Sequence, residues 1–380
     1  MTHILAPLNV DPHDPAALLP ELESAIAGQS TFLPLPAGDV TRSTLLRNTQ
    51  RAGEPISADI ALVVPTSGST GTPKGAQLSP ANLVASADAT HHVLGGPGQW
   101  LLAMPAHHIA GIQVLVRSLV AGVDPLCLDL SAGFSIPEFA RAAAELDRTG
   151  DRTYTALTPM QLAKAMDSLA GIEALRSFEA ILVGGAAINP QLHAAAKELD
   201  IHVVTTYGSS ETAGGCVYNG RALPGTQVRV ESSGRILLGG PTIAHGYRNA
   251  PGHQAFAHPG WFATSDSGEL DAHGVLTVTG RLDNIIDSGG LKLHPEVLEQ
   301  EILAVAGVES VCVVGVPHPR LGQAIMAAYT GTASITDILV ALEEAELPRW
   351  QVPKELKRLS EMPVTGPGKV DRQVVTALLS

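Results

Sequence analysis

Short apolar runs alternate with Ala-rich stretches from the N-terminus to about Leu223. Residues 60–64, 100–104, 180–183 and 201–205 have the length and apolar content of buried strands. Residues 109–120 and 190–199 read as helices, and Ser79-Pro80-Ala81-Asn82 reads as a helix start. This alternation predicts α/β layers with parallel strands, because a parallel pair needs a long crossover between its members. From about Leu223 the texture changes. Residues 228–230, 235–238 and 275–278 are short, turn-punctuated runs, which predict an antiparallel β region. After Gly280 the pattern predicts a helix over 297–304, a strand over 311–316 and a helix over 335–346, a small α+β unit. The expected fold class is therefore α/β. A large N-terminal domain of layered α/β sheets plus a β subdomain covers 1–282, and a small C-terminal α+β domain covers 283–380. The boundary falls at Asp283. No internal repeat and no low-complexity tract is present.

One connection stands out against this pattern. Between the strand at 60–64 and the helix start at Ser79 lies Thr66-Ser67-Gly68-Ser69-Thr70-Gly71-Thr72-Pro73-Lys74-Gly75. Glycines let backbone N–H groups approach an anion closely, hydroxyls add donors, and lysine adds a point charge. These are the parts of a polyphosphate cradle. A Walker loop needs Gly-Lys followed by Ser or Thr, and Pro73-Lys74-Gly75 excludes it. The duller alternative is a flexible Gly/Ser surface loop.

Composition narrows the partners. The 380 residues suffice for two domains or one large one, and 45% hydrophobic with 16% charged residues indicates a globular chain. A formal net charge of -13 argues against nonspecific nucleic-acid binding, so any anion site must gather Lys and Arg locally. Cys127, Cys216 and Cys312 show no C-x-x-C pairing, which fits a reducing compartment and gives no metal signature. The start Met1-Thr2-His3-Ile4 lacks the pattern of a signal peptide, and no apolar run is long enough to span a bilayer. The expected localisation is cytoplasmic. The sequence leaves a homodimer open.

Further motifs follow the loop in order. They are Pro105-Ala106-His107-His108-Ile109-Ala110-Gly111, Gly184-Gly185-Ala186 and Tyr207-Gly208-Ser209-Ser210-Glu211-Thr212. Then come Gly246-Tyr247, Trp261-Phe262-Ala263-Thr264-Ser265-Asp266 and Gly280-Arg281-Leu282-Asp283, and lastly the tail from Pro363 through Lys369 to Arg372. In this order they resemble the adenylate-forming superfamily of acyl-CoA synthetases, adenylation domains and luciferases, over the chain from about Asp59 onward.

The resemblance implies a two-step reaction that uses ATP, Mg²⁺ and coenzyme A. A carboxylate attacks the α-phosphate of ATP to give an acyl-AMP and pyrophosphate, and a thiol then displaces AMP. The catalytic work is positioning and stabilisation of charge on phosphorus. It implies that Thr66, Ser67, Gly68, Ser69, Thr70, Gly71 and Lys74 hold the β- and γ-phosphates. Ser210 would contact the α-phosphate, and Glu211 would hold the metal, with Thr70. Gly184, Gly185, Ala186, Tyr207 and Gly208 would receive adenine, while Asp266 and Arg281 would take the ribose. Lys369 would bridge the carboxylate and the α-phosphate. Asp283 would be the hinge of a mobile C-terminal domain, and Gly289 and Gly290 would line the CoA tunnel.

Each residue also has a plainer reading. Glu211 could cap a following helix, Asp266 could form an Asx turn in a loop, Asp283 could be a solvated acid, and Lys369 an exposed tail lysine. Two departures from the family pattern stand out. Ser265 occupies a position where many relatives have glycine. Asp287 precedes Ser288-Gly289-Gly290 where many relatives carry lysine or asparagine.

Only about 60 residues precede the loop, a short lead for this superfamily. That lead and several local strings resemble the short o-succinylbenzoate–CoA ligases of menaquinone biosynthesis. The strings include His108-Ile109-Ala110-Gly111, Leu115-Val116-Arg117-Ser118 and Gly214-Gly215-Cys216-Val217-Tyr218. Their substrate has two carboxylates, one to activate and one to hold. Arg117 is the candidate holder, because an arginine on an apolar helix needs an anionic partner; an internal pair or snorkelling is the alternative. His108 would wall the acyl pocket, with His107 merely packing. Gly214 and Gly215 would leave room for the ring, or only ease a turn. The alternatives for function are another aryl- or fatty-acid–CoA ligase, a free-standing carrier-protein adenylation domain, and a nonenzymatic nucleotide-binding relative.

Overall fold

The computed structural model describes residues 1–66, 72–345, 347–365 and 369–380. A five-stranded sheet opens the chain, in the order β3-β1-β2-β4-β5. Its strands are β1 (Thr2–Val10), β2 (Thr31–Pro36), β3 (Pro55–Ser57), β4 (Leu62–Pro65) and β5 (Gly75–Leu78). The first two run parallel to one another and to β4, while β3 and β5 are antiparallel edges. Helices α1 (Leu19–Ile26) and α2 (Val40–Thr49) connect them, and α3 (Pro80–Val93) follows. The start of α3 is a capping box in which Ser79 and Asn82 bond reciprocally, as its sequence predicts.

The second sheet has seven strands, and its core follows from α/β alternation. Strands β6 (Gln99–Leu102), β7 (Leu126–Cys127), β8 (Thr153–Leu157), β9 (Ala180–Val183) and β10 (Val203–Ser209) are parallel. Helices α4 (Ile109–Ala121), α5 (Ile136–Asp147), α6 (Pro159–Met166), α7 (Leu169–Arg176) and α8 (Pro190–Glu198) make the crossovers. The chain then reverses, and β11 (Gly214–Tyr218) and β12 (Arg221–Ala222) extend the sheet antiparallel. Trp100, Tyr154 and Phe139 are fully buried on its two faces.

After Leu223 the sheet is antiparallel throughout, as expected: β13 (Gln227–Val230), β14 (Arg235–Gly239), β15 (Trp261–Leu270) and β16 (Leu276–Arg281). The C-terminal part is α+β. Strands β17 (Ile286–Ser288), β18 (Leu291–Leu293), β19 (Val308–His318), β20 (Gly322–Gly331) and β21 (Glu355–Arg358) form one sheet. They are followed by the two-stranded β22 (Val364–Thr365) and β23 (Lys369–Val370). Helices α9 (Pro295–Leu303), α10 (Ile335–Glu344) and α11 (Arg372–Leu379) pack on them over cores of their own. No helix among the described residues is long and apolar enough to cross a membrane.

The differences from the sequence reading have physical causes. The strand expected at 60–64 pairs only from Leu62, and the one expected at 201–205 only from Val203. The strand at 100–104 stops at Leu102, and the one at 311–316 extends to Val308 and His318 because β20 pairs along its whole length. The phosphate-type loop does not lead from a strand straight into a helix. It closes a hairpin, with Pro65 opposite Gly75, before α3 begins. The helix expected over 335–346 ends at Glu344, and Glu346 lies outside the described residues.

Candidate active site

The hairpin between β4 and β5 is pinned at its base. Thr66 N donates to Lys74 O at 2.7 Å and Lys74 N to Thr66 Oγ1 at 3.3 Å. Pro73 O accepts from Gln50 Nε2 at 2.8 Å and from Asn249 Nδ2 at 2.9 Å, while Asn249 Oδ1 accepts from Gly75 N at 3.1 Å. Gln50, at the end of α2, is fully buried. A Cβ on Gly75 would lie 2.1 Å from its Oε1, so glycine is the residue that fits. Lys74 Nζ sits 5.4 Å over the Tyr247 ring. Ser67, Gly68, Ser69, Thr70 and Gly71 lie outside the described residues.

The chain between β10 and β11 brings the next group to the same place. Ser210, Glu211 and Thr212 form a tight turn that is capped by Ser209. No helix follows Glu211, so it does not cap one, contrary to its plainer reading. Its Oε1 instead accepts the Tyr247 hydroxyl at 2.6 Å, and its backbone oxygen accepts Ala244 N at 2.8 Å. Burial and the Glu211 charge push the Tyr247 phenol far above its ordinary value, so it stays a donor. Ser210 Oγ is 3.5 Å from Pro65 O, which ties this turn to the mouth of the hairpin. Gly208 packs so closely on β11 that a Cβ would lie 2.2 Å from Gly214 O.

Asp266 lies within β15, directly opposite Arg281 of β16, rather than in a loop. Its Oδ2 accepts the Tyr207 hydroxyl at 2.7 Å, and its Oδ1 lies 3.4 Å from Arg281 Nη1. Burial raises its pKa, while the Tyr207 bond and the Arg281 charge oppose that rise. Arg281 directs Nε and Nη2 at Asp283, at 2.8 and 2.6 Å. Both partners are about half exposed, so this pair adds little stability. Gly184 approaches Thr206, and Gly185, with φ of +84°, and Ala186 are exposed beyond β9.

Lys369, at the start of β23, is half-buried. Burial and the Arg281 charge pull its pKa below 10.5, while Glu211 and Asp266 pull the other way. His108 also feels its charge. The lysine separated by some three hundred residues from the hairpin therefore shares an electrostatic environment with Glu211, Asp266, Arg281 and His108. Three residues on, Arg372 Nη2 meets Glu299 Oε2 at 2.8 Å and Glu296 Oε1 at 3.4 Å, and so ties this tail to α9.

His108 is the N-cap residue of α4, with its ring against that of His107 at 4.2 Å between centroids. Burial drives the two imidazoles down to about 3 and about 4, so both are neutral near pH 7. Along the same helix, Gln113 supports Gly214: a Cβ there would lie 3.3 Å from Gln113 Cγ, and the φ of +98° also favours glycine. Gly215 is wedged between Tyr218 and Thr206. Arg117 is 3% exposed, with its Cζ 4.9 Å over the Trp100 ring and one 3.5 Å bond from Nη2 to the Tyr218 hydroxyl. Among the described residues it has no ion pair, and its Nε has no partner. Gly289 and Gly290 form the exposed tip of the β17–β18 hairpin, both at positive φ, with Asp287 Oδ1 accepting Gly290 N at 2.8 Å.

Sequence reasoning gave no role to Gln50, Tyr247 or Asn249, although the Gly246-Tyr247 string pointed to the second. Nothing local marks Gln50, whose contact spans 23 residues. Thr66, Lys74, Ser210 and Glu211 converge on one mouth, and Tyr207, Asp266, Arg281 and Lys369 lie beside it. Among the described residues, no hydrogen bond or ion pair joins the glycine hairpin at Gly289 to this group.

The chain belongs to the AMP-binding enzyme family: residues 8–248 match the AMP-binding enzyme domain and residues 297–369 the AMP-binding enzyme C-terminal domain. It is 44% identical over 363 residues to the "Probable 2-succinylbenzoate--CoA ligase" of Mycobacterium tuberculosis, covering 94% of each chain. It is 30% identical over 338 residues to the 2-succinylbenzoate–CoA ligase of Enterococcus faecalis, covering 82% of this chain and 68% of that one. Its fold matches o-succinylbenzoate CoA synthetase of Bacillus subtilis, solved with the acyl-adenylate intermediate OSB-AMP. The TM-score is 0.82 and the identity 21%, covering 98% and 88% of the two chains.

Proposed function

We propose that the protein is an ATP-dependent o-succinylbenzoate–CoA ligase of menaquinone biosynthesis, an AMP-forming acid–thiol ligase. The observation that carries the chemistry is the convergence of Lys369 with Glu211, Asp266 and Arg281 beside the β4–β5 hairpin. The observation that carries the choice of acid is Arg117, a buried guanidinium that meets no carboxylate among the described residues. The named relatives favour the same acid.

In the first step a substrate carboxylate oxygen bonds to the α-phosphorus of ATP, and the bond to the pyrophosphate oxygen breaks. In the second, the CoA sulfur bonds to the acyl carbon, AMP leaves, and the thiol proton goes to solvent. Thr66 and Lys74, with the intervening residues 67–71, hold the β- and γ-phosphates. Ser210 donates to the α-phosphate. Tyr207 and Gly208 flank adenine with Gly184, Gly185 and Ala186. Asp266 accepts the ribose hydroxyls, steadied by Tyr207 and Arg281. Lys369 brings the two reacting anions together by cancelling their mutual repulsion. His108, neutral and half-buried, walls the acyl site without adding charge.

Glu211 fits a magnesium ligand: it is a buried carboxylate oriented by the Tyr247 hydroxyl at the mouth where the phosphates would lie. Among the described residues no cluster of three or more metal-ligating side chains exists, so ATP oxygens and water would complete the coordination. When bound, Mg²⁺ neutralises developing phosphate charge. For the second step we assign Asp283 as the hinge about which residues 283–380 reorient, and Gly289 and Gly290 as the part that then meets CoA. An enzyme that consumes ATP and CoA is expected in the cytoplasm. ATP-dependent pyrophosphate release with o-succinylbenzoate, followed by CoA-dependent AMP release, tests the reading; release without dependence on this acid refutes it.

A further inference from the structure

Four buried polar atoms around the Arg117 side chain have no hydrogen-bond partner among the described residues: His91 Nε2, Trp100 Nε1, Gln113 Oε1 and Arg117 Nε. They come from α3, β6 and α4. Their residues are 6%, 0%, 0% and 3% exposed, so bulk solvent does not reach them. They are also neighbours. The His91 and Trp100 rings are 6.4 Å apart between centroids, and Arg117 Cζ lies 4.9 Å over the Trp100 ring. Buried polar groups are ordinarily paired, and a cluster of orphans around a lone cation is a site that awaits a ligand.

The cluster also lies where the acid would end. Ile109, Gln113 and Arg117 recur every four residues and so share one face of α4. The first two contact the Cβ position of Gly214 on β11. Past Gln113 on that face, the Arg117 guanidinium lies over the Trp100 ring and reaches the Tyr218 hydroxyl at the far end of β11. An acyl chain activated at His108 and laid along Gly214 thus runs toward Arg117.

We propose that His91 and Trp100 join Arg117 as the seat of the substrate's second carboxylate, His91 Nε2–H and Trp100 Nε1–H supplying neutral donors. The proposal rests on the diacid ligase reading above. One cation matches one carboxylate, and a second charge in so dry a place would be costly. His91 meets that demand. Burial and the Arg117 charge hold its pKa below 6.5, and the exposed Asp88 on its own helix only partly opposes them. Beside them stand two hydroxyls, that of Tyr218, shared between Thr90 and Arg117, and that of Tyr154, bonded to Leu94 O and Gly96 O. The seat therefore selects an acid that carries one extra carboxylate, and selects it by hydrogen-bond geometry as well as charge.

The test compares the diacid o-succinylbenzoate with 4-oxo-4-phenylbutanoate, which lacks the ring carboxylate, in steady-state adenylation by the full-length enzyme. His91→Leu and Trp100→Phe should each raise KM for the diacid about 10- to 100-fold, the span of one lost hydrogen bond to a charge. kcat and the KM for the monoacid should stay near wild type. His91→Gln places an amide N–H where Nε2–H was, and should restore most of the diacid preference. If His91→Leu changes both acids alike, or neither, the seat is wrong while the ligase reading stands. If His91→Leu does not fold, a loss of diacid preference in His91→Gln equal to that in Trp100→Phe overturns the role of His91. If wild-type enzyme does not adenylate the diacid, the ligase reading falls and the seat with it.

Discussion

Replacing Lys369 with alanine should separate the two half-reactions. The ammonium is proposed to touch the attacking carboxylate and the α-phosphate at once. Two hydrogen bonds between charged groups are worth about 1.5–3 kcal/mol each. Together they amount to about 3–6 kcal/mol, or about 10²–10⁴ in rate at 1.36 kcal/mol per tenfold. The fold should survive the change, because the backbone pairing of β22 with β23 and the Arg372–Glu299 contact at 2.8 Å position the tail without the Lys369 side chain. The pH profile carries the same signature. The lysine acts as a cation, so adenylation is fully present while it is protonated and is lost as pH rises through its pKa. Burial and Arg281 place that pKa below 10.5. Lys369→Arg should extend activity to higher pH at a lower plateau. The assay is pyrophosphate release with ATP and acid, run beside CoA ester formation from preformed acyl-AMP. Adenylation by the alanine variant within about threefold of wild type would refute the assignment. So would an equal loss in both half-reactions.

Four further outcomes follow from the geometry. Arg117→Met should raise KM for the diacid by a factor equivalent to about 2–5 kcal/mol, the cost of unpairing a dry charge; steady-state kinetics showing an unchanged KM would remove it from the site. Tyr247→Phe removes the donor 2.6 Å from Glu211 and should raise the Mg²⁺ concentration for half-maximal adenylation about tenfold; an unshifted Mg²⁺ titration contradicts the orienting role. Gly208→Ala would set a Cβ 2.2 Å from Gly214 O and should cost about 1–3 kcal/mol in a urea unfolding series; equal midpoints would show that β10 and β11 can separate there. His107 and His108 take up protons in the unfolded chain near 6.5 but in the folded chain only near about 4 and about 3. The unfolded state thus binds more protons below pH 6.5. Stability should fall there by about 1.4 kcal/mol per pH unit for each histidine, and the double variant to glutamine should flatten the slope.

The fold was legible where the chain repeats a local rule. The helix start at Ser79 is a capping box that its own residues complete, and 180–183 is a strand because its four residues are apolar and buried on both sides. The antiparallel turn of texture after Leu223 was equally local. What escaped depended on distant partners. Whether residues 66–75 lead into a helix or a hairpin is decided by pairing of β4 with β5, and Gly75-Ala76-Gln77-Leu78 is too short to announce itself. Asp266 looked like a loop acid because its register opposite Arg281 cannot be read from either strand alone. The ordered motifs pointed to the charged residues proposed for the site, but not to the groups that orient them. Tyr247 orients Glu211, Gln50 braces the hairpin, and the orphaned donors around Arg117 come from three elements. Apart from Tyr247, which stands in the Gly246-Tyr247 string, none carries a sequence signature, because each acts on residues distant in the chain.

The proposed enzyme activates a diacid through acyl-AMP and transfers it to CoA. Pyrophosphate release measured across a panel of carboxylic acids, with and without CoA, tests it most directly. ATP-dependent release with o-succinylbenzoate should stand well above that with benzoate, 4-oxo-4-phenylbutanoate or fatty acids, and AMP should be released only once CoA is added. Equal release across the panel would contradict the assigned substrate, and no release with any acid would contradict the enzyme itself.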